Sequence, residues 1–412
     1  MSTRFAWLLG VVALVAIGLL VACGTKYSAS SDGLVLVSSQ GSNVIQIFSF
    51  NLGDGHIAGI DNPPGTVATP SSMVIDPAGA YAYAVVTQLT PFQCGSNSSA
   101  LSGIQSFKVN SSGSLAVSTC TPDPNPIALT MDSSGKFLFV AEGLNAAIYT
   151  YSISSGSLTQ VAGTYTLPTT LQPPNLVALA ATPTSFPTSN AVCSTGGAPA
   201  PTSEFLYVAD HANNLVWEFQ VDMSSGALGN PPGFTAVQVF PAHSEPNGVA
   251  VDSCNRFVYV DNLLSNNVDA YTICNGSSTQ STNCPQPPAV PDGALTVIDG
   301  SPFSLPGGAN GPGPILVDPF GNTLYALDTL SSMISIMHIS PVSGKLVAAS
   351  PATAATGADP TAMAIRSDDS WLFVPNFTAA TLSQYSITPA TGALSPQPSI
   401  TTDNYPTGVA VK

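Results

Sequence analysis

Short apolar runs punctuate the chain, and each ends within six residues of a proline. The prolines are Pro70, Pro126, Pro174, Pro246, Pro312, Pro360 and Pro406. The runs they introduce include Met73-Val74-Ile75, Leu129-Thr130-Met131, Val249-Ala250-Val251 and Ile315-Leu316-Val317. A second mark follows each, a Gly-x-Leu/Ile turn at Gly113, Gly156, Gly226, Gly293, Gly344 and Gly392, with Gly55 as its first copy. Between the marks lie a β-rich run such as Phe205-Leu206-Tyr207-Val208 and an alternating run such as Leu215-Val216-Trp217-Glu218-Phe219. β-Branched and aromatic residues between Gly, Pro, Asn and Ser clusters predict strands. Each unit therefore reads as four strands, A to D, with an Asp-x-x-Gly turn between A and B, as in Asp132-Ser133-Ser134-Gly135.

A four-stranded antiparallel unit copied seven times predicts an all-β fold, a seven-bladed β-propeller. Strand A holds small residues four after the proline, at Ala178, Ala250, Ala364 and Ala410, as crowding at the axis requires. The segment from Leu34 has B, C and D patterns but no strand A, whereas the last unit stops after its strand A. The two fragments complete one blade, which closes the ring and removes open edges. The propeller is expected to span 34–412.

Residues 1–23 predict an export signal: Arg4, an apolar stretch from Phe5 to Leu20, then Leu20-Val21-Ala22-Cys23. The ending is similar to a bacterial lipobox, so Cys23 is the expected lipidation site, and the chain would meet the membrane through that lipid. Residues 24–33 read as a flexible tether. The balance of 8 basic and 23 acidic side chains, net −15, argues against nucleic acid. An exported compartment permits disulfides among the cysteines after Cys23. The blade map brings together Cys94 with Cys120, Cys193 with Cys254, and Cys274 with Cys284, with Cys94 placed in a B–C loop.

The B–C and D–A loops share one face, where a ligand or partner would bind. The B–C side offers Gln40, Gln88, Glu142, Asp210, His211, Asp261, Asn262, Asp328 and Asn376. The D–A side adds Asp123, Asn125, Asn175, His243, Glu245, Asn247, Asp359, Asp403 and Asn404. The densest group is Asp210, His211, His243, Glu245, Asn247, Asp261 and Asn262. A histidine beside a carboxylate suits a general base, and an oxygen-rich cluster suits Ca2+. The bland reading is that Asp and Asn after a strand cap their own turns. Trp217 and Trp371 are expected between blades, and His56 and His338 are expected to be structural.

The blade grammar resembles the seven-bladed propellers of the lactonase type, the 6-phosphogluconolactonase-like and YVTN-repeat proteins. The matching pieces are Asp132-Ser133-Ser134-Gly135-Lys136-Phe137-Leu138-Phe139-Val140, Glu204-Phe205-Leu206-Tyr207-Val208-Ala209-Asp210 and the Ser-Gly-x-Leu turns. The resemblance covers nearly all of 34–412. It implies hydrolysis of a sugar lactone. Where such proteins carry Pro-His-Pro-His, this chain has Pro173-Pro174-Asn175-Leu176, and Asn376-Phe377-Thr378 stands where an Asn-Arg-Gly would. Two classes follow. One is an exported, lipid-anchored propeller that binds a small molecule or a protein without catalysis. The other is a hydrolase of an unphosphorylated lactone or ester, with His211 or His243 as base and Asp210, Glu245 or Asp261 orienting it. Glu142, Asn247, Asn262, Asp328 and Asn376 would then contact the ligand.

Overall fold

In the computed structural model the described residues are 33–412, except 54, 61–62, 144–145, 163–164, 168–174, 183–203, 231–237, 275–283 and 285–292. Cys23, tether residues 24–32 and Cys193 lie outside them, whereas Gly33, expected in the tether, opens the first strand. Seven antiparallel sheets each follow the order D-C-B-A or its reverse. Blade I contains Gly33–Ser39, Val44–Phe50 and Ile57–Gly59, and its strand A is Pro406–Val411 from the other end of the chain. Leu36 faces Ala410 and Val37 faces Val409 in that closing register. The predicted propeller and its closure are both present.

Strand-A segments of blades II to VII begin at Thr69, Pro126, Leu176, Pro246, Pro312 and Ala364. In blade VII the strand is short, and Pro360 is tied to Asn376 by an isolated bridge. In blades III, IV and V strand D is interrupted, and its later part pairs separately with the start of strand C.

The core is a set of inter-blade seams. One apolar cluster joins blades III and IV through Phe137, Phe139, Trp217 and Phe219, and another joins V and VI through Phe257, Tyr259, Leu324 and Met337. Trp371 of blade VII meets Phe50 of blade I edge-on at 4.9 Å. Hydrogen bonds bolt the same seams. Tyr207, Tyr259 and Tyr325 donate to the carbonyls of Gly293, Gly344 and Gly392, at 3.2, 3.0 and 2.8 Å, in the next blade's C–D turn. Each of these hydroxyls is thereby satisfied inside the apolar seam, where an unpaired one would be costly.

Cys94 is bonded to Cys120, and Cys274 to Cys284. Cys254 is also disulfide-bonded. Cys94 does not lie in a loop. Strands B and C of blade II run Tyr81–Cys94 and Asn97–Val109, so the hairpin continues well past its neighbours.

Candidate functional site

The face that carries the D–A and B–C loops is built on one repeated device. The polar residue ending strand B lies opposite the start of strand A: Ser39 faces Pro406, Glu142 faces Pro126, Asn262 faces Pro246 and Asp328 faces Pro312. In five blades its side chain pairs with the side chain seven residues on, across the hairpin in strand C. The pairs are Ser39–Gln46 at 3.0 Å, Asp210–Trp217 at 3.1 Å, Asn262–Asp269 at 3.0 Å, Asp328–Ser335 at 2.7 Å and Asn376–Ser383 at 2.9 Å. These side chains pin the top of each hairpin.

In three blades the strand-C partner also accepts the N–H of the residue three before the strand-A proline. These are Asp403 to Gln46 at 2.8 Å, Gly357 to Ser383 at 3.3 Å and His243 to Asp269 at 2.8 Å. In blade V this position brings a side chain of its own. His243 Nδ1 lies 2.8 Å from Asp269 Oδ1, with the imidazole 49% exposed and the carboxylate 6%. Asp269 thus holds Asn262, the His243 backbone and the His243 ring together. When the imidazole is neutral, Nδ1–H donates to Asp269 and Nε2 keeps its lone pair. Asp269 was not among the residues expected from the sequence. Its signal was available: at seven residues past the strand-B residue the chain reads Gln46, Tyr149, Trp217, Asp269, Ser335 and Ser383, and only one of these is a carboxylate.

The other expected residues separate into distinct roles. His211 Nδ1 lies 3.3 Å from the Pro246 carbonyl, and Nε2 lies 3.9 Å from Glu245 Oε2. Glu245 is held in a left-handed turn with φ 60°, and its N–H donates to Asn214 Oδ1. His211, in the blade IV B–C loop, is therefore brought beside Glu245 of the D–A loop that also carries His243. Asp210 does not orient either ring. Its oxygens accept from Asn175 N, Asn213 and Trp217 Nε1, so it caps its own turn. Asp261 is turned away. Successive strand residues alternate faces, and with Asn262 committed to strand C, Asp261 leans on the Gly248 backbone of strand A, wholly buried. Burial pushes its carboxyl well above the usual range. Asn247 stands beside Gly313 of the next strand A.

Asn262, Asp328 and Asn376 are fully buried pins. Asp328 is pushed up to about 7 by burial, against the hydrogen bond from Ser335. Glu142 is also fully buried and accepts from Asn125 N at 2.8 Å. Burial, and then the hydrogen bond and charge of Asp123, push Glu142 up to about 9. For these four the bland reading describes the geometry: they hold the loops that a ligand would meet.

Calcium requires six to eight oxygens (about that number) from converging donors. Among the described residues no group of three or more His, Cys, Asp or Glu converges in this way. The oxygens of Asp210 already accept from Asn175, Asn213 and Trp217, and Asp261 is wholly buried beside Gly248.

Among the described residues, the arginines and several lysines lie at the turns of the opposite face. Arg256 is buried against Asp252 at 2.7 Å and donates to the Gly321 and Pro341 carbonyls. Arg366 donates to the Lys412 carbonyl, and Lys412 Nζ to the Gly79 carbonyl. Lys345 pairs with Asp299, and Lys108 lies opposite Tyr81 at the start of strand B.

A ring of seven blades with a polar loop face defines a propeller of enzyme or binding type. The family described as "Lactonase, 7-bladed beta-propeller" matches residues 37–411, and the chain belongs to it. No curated protein sequence matches the chain. Among solved structures, a Bacteroides fragilis protein described as a candidate 6-phosphogluconolactonase is 18% identical with a TM-score of 0.71, over 94% of this chain and 100% of that one. The Pseudomonas aeruginosa periplasmic gluconolactonase is 18% identical with a TM-score of 0.69, over 92% of this chain and 99% of that one. A Lactobacillus plantarum protein is 14% identical with a TM-score of 0.70, over 92% and 99%. At these identities the likeness is one of fold.

Proposed function

We propose that the chain is a lactonase acting on an unphosphorylated lactone or ester at the blade IV–V edge of the polar face. The observation that carries this reading is the His243–Asp269 pair. A buried carboxylate holds Nδ1 of a half-exposed imidazole, which leaves Nε2 as an oriented base. In this reading Nε2 takes a proton from water, and the hydroxide adds to the lactone carbonyl. The ring C–O bond then breaks, and the imidazolium returns the proton to the leaving alkoxide. The products are a hydroxy acid and the regenerated enzyme. His211 and Glu245 flank the same loop and would position the substrate.

The family and the gluconolactonase neighbour support the substrate class. The lack of phosphate is supported by Arg256, Arg366, Lys345 and Lys412, which are engaged with partners on the other face; a phosphate dianion needs converging Arg and Lys. We also propose that the protein is exported and held to a membrane by a lipid on Cys23, in keeping with its disulfides.

The test is hydrolysis of glucono-lactone, with and without a 6-phosphate, above the spontaneous rate. The unphosphorylated compound is expected to be turned over, and His243→Ala and Asp269→Asn to lower kcat by about 10²–10⁴-fold. Unchanged turnover in both folded variants, or preference for the phosphorylated lactone, would overturn the reading.

A further inference from the structure

On the face opposite the His243 site, one A–B turn departs from the others. In blades II, III, VI and VII the fourth residue of that turn has a left-handed backbone: Gly79 at φ 64°, Gly135 at 72°, Gly321 at 72° and Asp369 at 56°. The glycines pass close against the blade before them. A Cβ on Gly321 would meet Arg256 Nη2 at 2.8 Å, one on Gly135 would meet Pro77 at 3.0 Å, and one on Gly79 would strike the Lys412 stem. Of these four blades, only blade VII places a side chain there, and it is a carboxylate.

Cations cross three other seams at this level. Arg256 of blade V donates to the Gly321 carbonyl of blade VI, Arg366 of VII to the Lys412 carbonyl of I, and Lys412 of I to the Gly79 carbonyl of II. At the blade VI–VII seam Asn322 holds the place of Arg256, and Asp318 and Asp369 bring two carboxylates. Arg366, on the same turn as Asp369, spends its guanidinium on Asp368 and the Lys412 carbonyl.

Asp369 is fully buried, and neither of its oxygens has a hydrogen-bond partner. Asp318, 1% exposed, accepts from the N–H groups of Phe320 and Asn322 and is helped by the Thr323 side chain. Both charges act on the Tyr325 hydroxyl, which is itself committed to the Gly392 carbonyl. Burial, and then the charges of Asp318 and Asp368, push the Asp369 carboxyl up to about 7. A buried carboxylate without a donor is costly unless a counterion meets it.

We propose that the blade VI–VII seam is a Ca2+ site, with Asp369 and Asp318 as its protein ligands and water completing the shell. Oxygen donors select a hard cation. Two carboxylates call for a divalent one, since a monovalent ion would leave net negative charge buried. Mg2+ demands near-ideal octahedral geometry, whereas Ca2+ accepts the irregular shell that turns from two separate blades provide. Asp368, whose side chain is 47% exposed beside the site, marks the side from which ion and water enter. Two protein carboxylates make a weak site, with Kd of about 10⁻⁴–10⁻³ M. The ion would tie blade VI to blade VII as Arg256 ties blade V to blade VI.

The experiment strips the full chain with a chelator and titrates it with CaCl2 by calorimetry, beside thermal melts with and without the metal. Asp369→Gly is the chief variant, because it restores the residue that blades II, III and VI carry and suits the left-handed turn. The unaltered chain is expected to bind one Ca2+ saturably and to melt about 2 °C higher near saturation. Asp369→Gly should lose both responses, and Asp369→Asn should weaken binding at least about tenfold. His243→Ala should bind Ca2+ as the unaltered chain does, which separates this site from the proposed lactonase site. No saturable binding in the unaltered chain, an equal response in Asp369→Gly, or tighter binding of Mg2+ or Na+ would overturn the proposal.

Discussion

Blades V and VII carry the same asparagine at the same place. Asn262 and Asn376 both end strand B, both are fully buried, and both donate Nδ2 to a strand-C side chain seven residues on. In blade VII the partner is Ser383, which also receives Gly357 N–H. In blade V it is Asp269, which receives His243 N–H and the His243 ring. The two blades differ at two positions, Ser against Asp and Gly against His, on an otherwise shared frame. A hydroxyl can close the frame but has no second oxygen with which to hold a ring. The repeat thus supplies a rigid mount, and a site arises where one copy carries a spare acceptor and something for it to grip.

The sharpest way to break the comparison is to turn blade V into blade VII. Asp269→Ser should keep the pin and the fold but free the imidazole, and lactone turnover should fall by about 10²-fold or more. The reciprocal Ser383→Asp should confer no activity, because Gly357 has no ring to offer. Both are checked by steady-state kinetics beside a thermal melt, and a fully active Asp269→Ser would show that the pair is structural.

A smaller effect tests the frame itself. Asn376→Ala removes the donor to Ser383 and Thr381 within a buried site. It should cost about 1–3 kcal/mol, measured by denaturant unfolding, with no change in turnover.

The smallest effect concerns blade III, whose frame residue is the acid Glu142. Its carboxyl rises from the model-compound value of 4.5 to about 9 on folding. The folded chain therefore keeps a proton that the unfolded chain sheds. That contribution to stability is fully present below about pH 4.5 and is lost as pH rises toward 9. The melting temperature should fall across that window, and Glu142→Gln should flatten the fall by roughly 2–4 °C. A slope unchanged by the substitution would remove Glu142 as its cause.

The architecture was legible because its signals repeat: the proline, the apolar run and the turn glycine recur in register, and the chain ends complement each other. The Cys94–Cys120 and Cys274–Cys284 pairs were legible once the cysteines were placed on blades. The long B–C hairpin of blade II was not. Gln88-Leu89-Thr90-Pro91-Phe92 contains a proline and flanks no recognised turn, so it read as loop, whereas the disulfide and a long partner strand hold it extended. The His243 site was legible only in part. The histidine stood out by residue type, but Asp269 lies in an alternating strand, where a polar side chain is expected at every second place. Asp261 was misplaced for a related reason: its neighbour Asn262 claims the strand-C side, and pleating sends Asp261 the other way.

Blade I is stitched from strands at opposite ends of the described chain, with Val35 beside Val411. Such a seam is a contact of maximal sequence separation, and its loop-closure entropy must be met before it yields any stability. The six other blades can form from neighbouring segments while the chain emerges, but the last strand has to be released before the ring can lock. Until then Gly33–Ser39 keeps an unpaired edge, in a strand buried along its whole length in the finished ring. The slow step of folding is therefore placed at a single seam. Truncation behind Val409 would leave a nearly complete propeller that is open, sticky and prone to pair with a second copy.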